Sequence, residues 1–258
     1  MFLGLPESAS AELAPKLLEN GKCVFDLSGA FRLRNDKARN HWYPSSPAIP
    51  DGTAYGLTEW NRHKISDAQF VACPGCYPTA AILALKPLLS AGLIRENADI
   101  YIDAKSGVSG AGKKPTARTH FSEIHANLAA YGIFSHRHSV EIEQELETSV
   151  TFVPHLVPLN RGIFETIYTR LLPGTTSTDV TRVFEAAYEN APFVRLTFDR
   201  TPEIQHVAHT NFCDIGWKIE GNRIVLVSCI DNLLKGAAGQ ALQNFNVASG
   251  FDERTGLL

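Results

Sequence analysis

The chain has 258 residues, of which 44% are hydrophobic and 20% are charged, and its formal net charge is -3. This length accommodates more than one domain, and without a basic excess neither a nucleic acid nor an anionic membrane surface is favoured as a partner. The sequence has no uninterrupted apolar run of about 18 residues, so we expect no membrane span, and its start has no secretory pattern. Its cysteines number five, and because this number is odd we expect no disulfide framework. We therefore predict a cytoplasmic location.

The first part of the chain alternates helix and strand patterns. A helix is predicted over residues 8–20, with Ser8 as its N-cap and Asn20-Gly21 as its C-terminal stop. The apolar run Cys23–Leu27 is typical of a buried strand. Residues 31–64 have weak periodicity, so we predict a long irregular connection, a kind of segment that is often functional.

A strand, a tight glycine turn and a helix are predicted next. The strand covers Ala68–Cys73 and runs into Pro74-Gly75-Cys76, and the helix extends from Thr79 to Ala91. This order is typical of an α/β unit.

The second half of the chain is dominated by strand patterns. Strands are predicted over Asp99–Ala104, Thr151–His155, Gly162–Leu171, Val194–Phe198, Phe212–Ile219 and Arg223–Cys229, and helices over Val140–Glu147, Thr178–Asn190 and Leu233–Asn246. Ser106–Gly112 is predicted to be a flexible loop. Successive strands indicate a mixed or antiparallel sheet, and hence a second domain.

Cys76 is the residue with the most specific chemical signal. It lies on the glycine turn and is predicted to open a helix, where unpaired backbone N–H groups and the helix dipole stabilise a thiolate and lower the pKa of a cysteine. Gly75 permits the sharp turn, and Pro78 suits the first turn of a helix. A thiolate placed there is a candidate nucleophile for an acyl group, with neighbouring N–H groups as candidate oxyanion donors.

Three alternatives for Cys76 stay open at this point. Cys73 and Cys76 form a Cys-x-x-Cys pair, which is compatible with a thiol–disulfide enzyme, although the second cysteine and not the first is predicted at the helix start. A zinc site would need a second pair of ligands at structural-site spacing, and none is evident. An inert buried cysteine is the third alternative.

A histidine pair, His136 and His138, precedes a predicted helix. Acyl transfer by a thiol needs a nearby base, and Glu141, three residues after His138, is placed to orient its ring. A metal site, for which no third ligand is evident, and a plain polar loop are the alternatives.

Three further signals are weaker. The glycine-rich loop Ser106–Gly112 is followed by Lys113 and Lys114, a composition that suits a phosphate but also an ordinary linker. Arg32 is suited to pair with a carboxylate or a phosphate, or is a solvated surface charge. Asp231-Asn232 is typical of a helix N-cap.

Five motifs occur together and in order along the chain. They are Pro74–Thr79, Ser106–Gly112, His136–Ile142, Pro154–Gly162 and Asp231–Ala238. This combination resembles the N-acetyl-gamma-glutamyl-phosphate reductases of arginine biosynthesis, a family similar to aspartate-semialdehyde dehydrogenase and glyceraldehyde-phosphate dehydrogenase. The resemblance runs from Phe2 to the C-terminus.

The resemblance implies an α/β fold with two domains. A truncated Rossmann-like NADP domain would comprise residues 1–76 and 232–258, and an α+β catalytic and dimerisation domain with a mixed sheet would comprise residues 77–231. The implied activity is that of an NADP-dependent oxidoreductase, which reduces N-acetyl-glutamyl 5-phosphate to N-acetyl-glutamate 5-semialdehyde with release of phosphate. The implied assembly is a homodimer or a homotetramer.

The resemblance also implies roles for single residues. Cys76 would be the nucleophile that forms a thioester, His138 the acid/base and Glu141 the group that orients it, with His136 as the second candidate for the acid/base. The implied substrate contacts are Arg32, His136 and Ser106, and the implied cofactor contacts are Ser109, Gly110, Asn232 and Pro6.

One feature departs from the family pattern. Family members begin with a strand and a Gly-x-x-Gly-x-x-Gly-type loop that holds the dinucleotide pyrophosphate, and no such loop precedes Leu3-Gly4-Leu5-Pro6. We therefore expect the Rossmann-like sheet to lack its opening βαβ portion, whether by truncation, a misplaced start codon or genuine shortening. An inactive or partner-dependent remnant of the reductase is an alternative function, and aspartyl phosphate or a carrier-bound analogue is an alternative substrate.

Overall fold

The computed structural model describes residues 1–112 and 114–258. Within them the chain forms two compact units, one of residues 1–75 and 236–258 and the other of residues 76–235. We call these the parallel-sheet unit and the mixed-sheet unit. Across the described residues, none of the helices combines the length and the apolar character that a bilayer span requires.

Eleven strands and nine α-helices are found in the described residues. The strands are β1 (Phe2–Leu3), β2 (Val24–Asp26), β3 (Ala54–Tyr55), β4 (Phe70–Ala72), β5 (Tyr101–Gly107), β6 (Ala129–Ala130), β7 (Thr151–Val157), β8 (Ile163–Arg170), β9 (Val194–Leu196), β10 (Cys213–Glu220) and β11 (Arg223–Ile230). The helices are α1 (Glu7–Glu19), α2 (Asp36–Trp42), α3 (Thr58–Asp67), α4 (Cys76–Ser90), α5 (Phe121–Ile124), α6 (Arg137–Leu146), α7 (Ser177–Tyr188), α8 (Ile204–Val207) and α9 (Gly239–Ala248).

The parallel-sheet unit is built on β1 to β4, which are all parallel and lie in the order β1-β2-β4-β3. One face of this sheet packs on α1 through a cluster that includes Ala14, Val24 and Phe70. The other face packs on α3 and α9 through a cluster that includes Ile65 and Ala241. Because both faces are covered, every residue of β2 and β4 is buried.

The predicted first helix is confirmed, but its predicted N-cap is wrong. α1 has Pro6 at its N-cap position, and Ser8 lies inside the helix. Pro6 has no N–H to satisfy and a φ of -56°, which suits a chain entering a helix. At the other end Asn20 is the C-cap and Gly21 has a φ of 69°, as the Asn-Gly stop predicts.

The irregular connection predicted over residues 31–64 is wrong in part, because α2, β3 and most of α3 lie within it. Asn35 caps α2 by accepting a hydrogen bond from the backbone N–H of Ala38 at 3.0 Å. Only Thr58 and Ile65 of α3 are buried, so its sequence has little apolar periodicity. α3 is anchored to α9 instead, since the Thr58 hydroxyl donates to Asn244 Oδ1 at 2.6 Å.

The mixed-sheet unit contains a seven-stranded sheet in the order β6-β7-β5-β8-β11-β10-β9. The β5–β7 and β9–β10 pairs are parallel, and the other four pairs are antiparallel. One face carries α4, which packs against β8 and β11 with α6 and α7 beside it. We call the opposite face the open face; Tyr101 and Tyr168 are exposed on it. An α/β fold with one parallel and one mixed sheet is confirmed.

One boundary error in the second half of the chain concerns β5. It was predicted to end at Ala104 but continues to Gly107, because Ser106 and Gly107 remain paired with Leu156 and Val157 of β7. The flexible loop predicted over Ser106–Gly112 is therefore wrong: its first two residues belong to β5, and Val108–Ala111 form a 3₁₀ turn. The last predicted helix is found as a π-helical turn, Leu234–Ala238, followed by α9.

Candidate active site

Cys76 is the first residue of α4 and is partly accessible. The helix begins three residues before the predicted Thr79, with Pro78 inside its first turn. Proline is tolerated there because the N–H groups of the first turn make no hydrogen bond within the helix, so the missing N–H of Pro78 costs nothing. The prediction that Cys76 opens a helix is confirmed. A residue at this position lies at the positive end of the helix dipole, which stabilises a thiolate.

An aromatic cluster surrounds the residue that follows the cysteine. We define it as Tyr77, Tyr131, His136, His138 and Phe152. The Tyr77 ring lies 6.0 Å from each imidazole and 5.2 Å from Phe152, and the two imidazoles are 4.8 Å apart. The Tyr131 ring lies 5.6 Å from His136. The fold therefore brings both predicted histidines to the start of α4.

The two tyrosines of the cluster meet through their hydroxyl groups. Tyr77 Oη lies 3.3 Å from Tyr131 Oη, and Tyr77 donates to the carbonyl oxygen of His155 at 3.2 Å. Burial raises the pKa of both phenols, so both stay protonated. Neither tyrosine has a role predicted from the sequence. Tyr77 lies next to the candidate nucleophile, whereas Tyr131 is 54 residues away in the sequence and has no local signal.

His136 caps α6 and is fixed in one tautomer. Its Nδ1 accepts a hydrogen bond from the backbone N–H of His138 at 3.1 Å, so the neutral ring carries its proton on Nε2. Burial, assisted by the positive charge of Arg137, lowers the pKa of His136 to about 4. His136 is therefore neutral at physiological pH and presents Nε2–H as a hydrogen-bond donor.

His138 and Glu141 lie one turn apart on α6, which starts at Arg137 and not at the predicted Val140. A spacing of three places both side chains on one face of the helix. Both are buried, with 8% and 0% of their surface exposed, on the helix that packs beside α4.

A second group of predicted residues meets at the carboxyl end of β5. The side chain of Asn232 is buried: its Oδ1 accepts from the backbone N–H of Gly162 at 2.7 Å, and its Nδ2 donates to Ser109 Oγ at 3.0 Å. Ser109 Oγ donates in turn to the carbonyl oxygen of Asn160 at 2.6 Å. Asn232 thus joins the loop before β8 to the 3₁₀ turn after β5.

Ser106 and Gly110 complete this group. The Ser106 side chain is buried, and a Cβ placed on Gly110 would overlap its hydroxyl. Only glycine fits the turn at position 110 with Ser106 where it is.

Asp231 is a site residue whose role the sequence analysis missed. Its fully buried carboxylate accepts hydrogen bonds from Arg161 Nη1 at 3.1 Å and from the backbone N–H groups of His209, Leu233 and Leu234 at 2.7, 2.8 and 3.0 Å. Burial alone would raise the pKa of this carboxyl, but these hydrogen bonds outweigh burial and hold the pKa below its usual range. Its N-cap signal was visible, whereas the contact with Arg161 was not.

Two predicted site residues lie in the parallel-sheet unit. Arg32 is 7% exposed and donates from Nη2 to the carbonyl oxygen of Leu27 at 2.7 Å. The turn before it is held by Asp26, which accepts from the hydroxyl groups of Ser10 and Ser28. Pro6 precedes α1, whose first turn receives no side-chain cap.

The rival interpretations find no support in the structure. Cys73 is buried, and although Asn244 donates to its sulfur at 3.7 Å, burial raises the pKa of the thiol to about 12. Such a thiol is a poor partner for thiol–disulfide exchange. Among residues 1–112 and 114–258, no group of three or more His, Cys, Asp or Glu is placed to hold a metal ion. Lys113, named with the glycine-rich loop, lies outside the described residues.

The two units correspond to the two domains of the semialdehyde dehydrogenase class, as two family models show. Residues 1–68 match the family model "Semialdehyde dehydrogenase, NAD binding domain", and residues 76–232 match "Semialdehyde dehydrogenase, dimerisation domain". Aspartate semialdehyde dehydrogenase II from Vibrio cholerae, complexed with ASA, superposes with a TM-score of 0.75 at 18% identity, covering 96% of this chain and 79% of that one. The Candida albicans enzyme with NADP gives a TM-score of 0.66 at 16% identity, covering 96% and 76%.

Sequence relatives identify the family within this class. The N-acetyl-gamma-glutamyl-phosphate reductase of Aeromonas salmonicida is 49% identical over 261 residues, which cover all of this chain and 77% of the relative. That of Shouchella clausii is 48% identical over 269 residues, which cover 100% and 78%. The chain therefore belongs to the N-acetyl-gamma-glutamyl-phosphate reductase family, and the resemblance found in the sequence is confirmed.

Proposed function

We propose that the chain catalyses the NADPH-dependent reduction of N-acetyl-glutamyl 5-phosphate to N-acetyl-glutamate 5-semialdehyde, with release of phosphate. The observation that carries this proposal is the position of Cys76 at the start of α4, directly before Tyr77, whose ring lies 6.0 Å from each of the two imidazoles. The sequence identity of 48–49% to N-acetyl-gamma-glutamyl-phosphate reductases, which extends over the whole of this chain, supports the same reaction.

The first step uses Cys76 as the nucleophile. Its thiolate attacks the acyl carbon, the bond from that carbon to the phosphate oxygen breaks, and phosphate leaves, so that a thioester remains. Backbone N–H groups in the first turn of α4 are proposed to hold the negative charge that develops on the acyl oxygen. His136, neutral and with its proton on Nε2, is suited to donate a further hydrogen bond to that oxygen.

His138 is the proposed acid/base. It donates a proton to the oxygen as the acyl carbon is reduced, and it takes the proton back when the carbon–sulfur bond breaks and the aldehyde leaves. Glu141, on the same face of α6, is proposed to orient the ring. His136 suits this role less, because a second ring proton would have to displace the hydrogen bond that its Nδ1 accepts.

The residues present fit NADP at two places. In the parallel-sheet unit the space beside Gly4 is open, since a Cβ added there would have no heavy atom within 4 Å. The chain then continues through Pro6 into the first turn of α1, which has no side-chain cap and is therefore suited to bind a phosphate of the cofactor. In the mixed-sheet unit the proposed contacts are Ser109, Gly110 and Asn232, where one hydrogen of the Asn232 amide remains to be donated. When bound, NADPH supplies the two electrons and the hydrogen that reduce the acyl carbon.

Arg32 and Ser106 are the proposed substrate contacts besides His136. The guanidinium of Arg32 is held by Leu27 and suits a carboxylate of the substrate, since arginine pairs with carboxylates in a bidentate way. We propose a cytoplasmic location, in line with the five free cysteines.

We also propose that the protein is a homodimer or a homotetramer. The match to a dimerisation domain over residues 76–232 supports this, as does the open face of the mixed sheet, where Tyr101 is 47% and Tyr168 is 41% exposed. Sedimentation equilibrium tests the proposal, and a monomer at micromolar concentration would contradict it.

The activity is tested by following the reverse reaction, the reduction of NADP by N-acetyl-glutamate 5-semialdehyde in the presence of phosphate. Wild type is expected to be active only with phosphate, and Cys76→Ser is expected to be inactive. Cys23→Ser, a partly exposed cysteine of the parallel-sheet unit, is the matched control and should keep the activity. Equal activity of Cys76→Ser and wild type would exclude Cys76 from the mechanism.

A further inference from the structure

Glu165 is a buried carboxyl group in the mixed-sheet unit that the proposed reaction does not use. It lies on β8 between Ala104 of β5 and Ser228 of β11. Its side chain is fully buried on the face covered by α4, since Ser228, on the same face, donates to the carbonyl oxygen of Ala80 at 3.0 Å. Glu165 therefore lies beneath the first turns of the helix that starts at Cys76.

Neither carboxyl oxygen of Glu165 has a hydrogen-bond partner in the described part of the chain, and no ion pair within it includes this residue. Asp214 of β10 is a buried carboxylate that, in contrast to Glu165, has charged partners. It is equally buried, but Arg195 Nε and Arg200 Nη2 contact its two oxygens at 2.6 and 2.5 Å. Buried carboxylates normally have such partners, because an unpaired buried charge is very costly.

None of the charged and titratable groups on the elements packed against Glu165 forms a hydrogen bond or an ion pair with its carboxyl group in the described part of the chain. On β5 they are Tyr101, Asp103 and Lys105; on β11, Arg223 and Cys229; and on α4, Cys76, Tyr77 and Lys86. Lys105 contacts Asp103 at 2.5 Å, Arg223 pairs with Glu220, and Lys86 donates to the carbonyl oxygen of Glu145. By strand alternation, Lys105 lies on the open face.

We propose that Glu165 is a neutral, protonated carboxylic acid in the folded protein, and that its ionisation as the pH rises destabilises the mixed-sheet unit beneath the helix that carries Cys76. Burial raises the pKa of this carboxyl well above its usual range, and the positive charge of Lys105 offsets only part of that effect.

A neutral Glu165 also suits the proposed function of Cys76. Glu165 is close enough to Tyr77, the residue after Cys76, that ionisation of Glu165 would add to the effect of burial and raise the pKa of Tyr77 further. A negative charge on Glu165 would repel a thiolate at Cys76 and so work against the stabilisation that the helix dipole gives it. The effect on the Cys76 thiolate rests on the proposed function, whereas the neutral state of Glu165 does not.

The sign of the pH dependence follows from the raised pKa. The contribution of protonated Glu165 to the free energy of unfolding is fully present below the pKa of a glutamate in the unfolded chain, about 4.3. It is lost as the pH rises through the pKa that Glu165 has in the folded protein. Glu165→Gln has the shape of the neutral acid and does not titrate. We expect the unfolding constant of wild type to rise relative to that of Glu165→Gln by up to about tenfold per pH unit above pH ~5.

Urea denaturation of both proteins from pH ~5 to ~8 measures this ratio. A ratio that stays constant with pH would overturn the proposal. Asp214→Asn is the matched control, because it removes a buried carboxylate that has two partners. Its loss of stability should not grow as the pH rises over the same range.

Infrared spectroscopy tests the proposal without relying on the folding of a variant. Wild type at pH ~7 should show the carbonyl band of a protonated carboxylic acid, which should disappear as the pH rises and be absent from Glu165→Gln. Wild type without this band would show Glu165 to be ionised and the proposal to be wrong. Neither measurement uses turnover, so failure of the proposed activity would leave this result unaffected.

Discussion

Replacing Asp231 by Asn tests how the loops of the candidate site are held together. Asn keeps the size of the side chain, and its Oδ1 still accepts the N–H bonds of Leu233 and Leu234. Its NH₂ group would replace the oxygen that now accepts from Arg161 and from the backbone N–H of His209. Two hydrogen bonds to a charged acceptor thus become contacts between donors.

The expected cost follows from these two contacts. A hydrogen bond to a charged group contributes about 1.5–3 kcal/mol, so we expect Asp231→Asn to lower the free energy of unfolding by about 3–5 kcal/mol at pH 7. Because the pKa of Asp231 is lowered, its contribution is present above the pKa of an unfolded aspartate, about 3.9, and is lost as the pH falls through the folded pKa. The difference between wild type and variant should therefore shrink in acid.

Urea denaturation followed by circular dichroism at pH 7 and in acid measures both effects. The control is Asp252→Asn, which removes a carboxylate that pairs with Arg254 at the surface, and no measurable change is expected. An Asp231→Asn protein within about 1 kcal/mol of wild type at pH 7 would refute the reasoning.

Three further predictions concern the proposed catalytic and binding groups. In the pH profile of kcat, His138→Gln should lose a limb of the profile and at least 100-fold of the rate, whereas His136→Gln, which can still donate a hydrogen bond, should keep the shape of the profile; the reverse result would exchange the two roles. Cys73→Ala should keep the activity, and the Cys73 thiol, whose pKa burial raises to about 12, should not react with iodoacetamide in the folded protein at pH ~8; fast alkylation of Cys73 mapped by mass spectrometry would contradict this. Arg32→Lys should raise KM for the acyl phosphate about tenfold with a smaller change in kcat, because lysine cannot form the bidentate pair; an unchanged KM in steady-state kinetics would remove Arg32 from the substrate site.

The parts of the fold that could be predicted are those whose cause is local. The Asn20-Gly21 stop of α1 and the apolar run of β2 follow from the residues themselves. The glycine turn and Pro78 likewise indicated that Cys76 opens a helix, although the predicted helix bounds began three residues late.

The parts that could not be predicted depend on distant contacts. α3 has few apolar residues, and the groups that hold it, Asn244 and Gln240 of α9, lie more than 180 residues further along the chain. The end of β5 was misplaced for a similar reason, since Ser106 and Gly107 favour a loop until β7 pairs with them.

The candidate site shows the same division. Local patterns identified Cys76 and the two histidines, but the tautomer of His136 is set by the backbone N–H of His138 in the folded α6. Tyr131 reaches Tyr77 only because β6 pairs with β7 and brings it there. A carboxyl group without a partner, as at Glu165, cannot be recognised until its neighbours are known.

The most direct test of the account is to find the residue that is acylated. The protein is mixed with N-acetyl-glutamate 5-semialdehyde and NADP in the absence of phosphate, so that the thioester forms but is not cleaved by phosphate, and the acid-quenched digest is analysed by mass spectrometry. We predict that the acyl group is found on the peptide that contains Cys76, and on no other cysteine. Reduction of NADP without acylation of Cys76, or with the acyl group on another residue, would contradict the central claim.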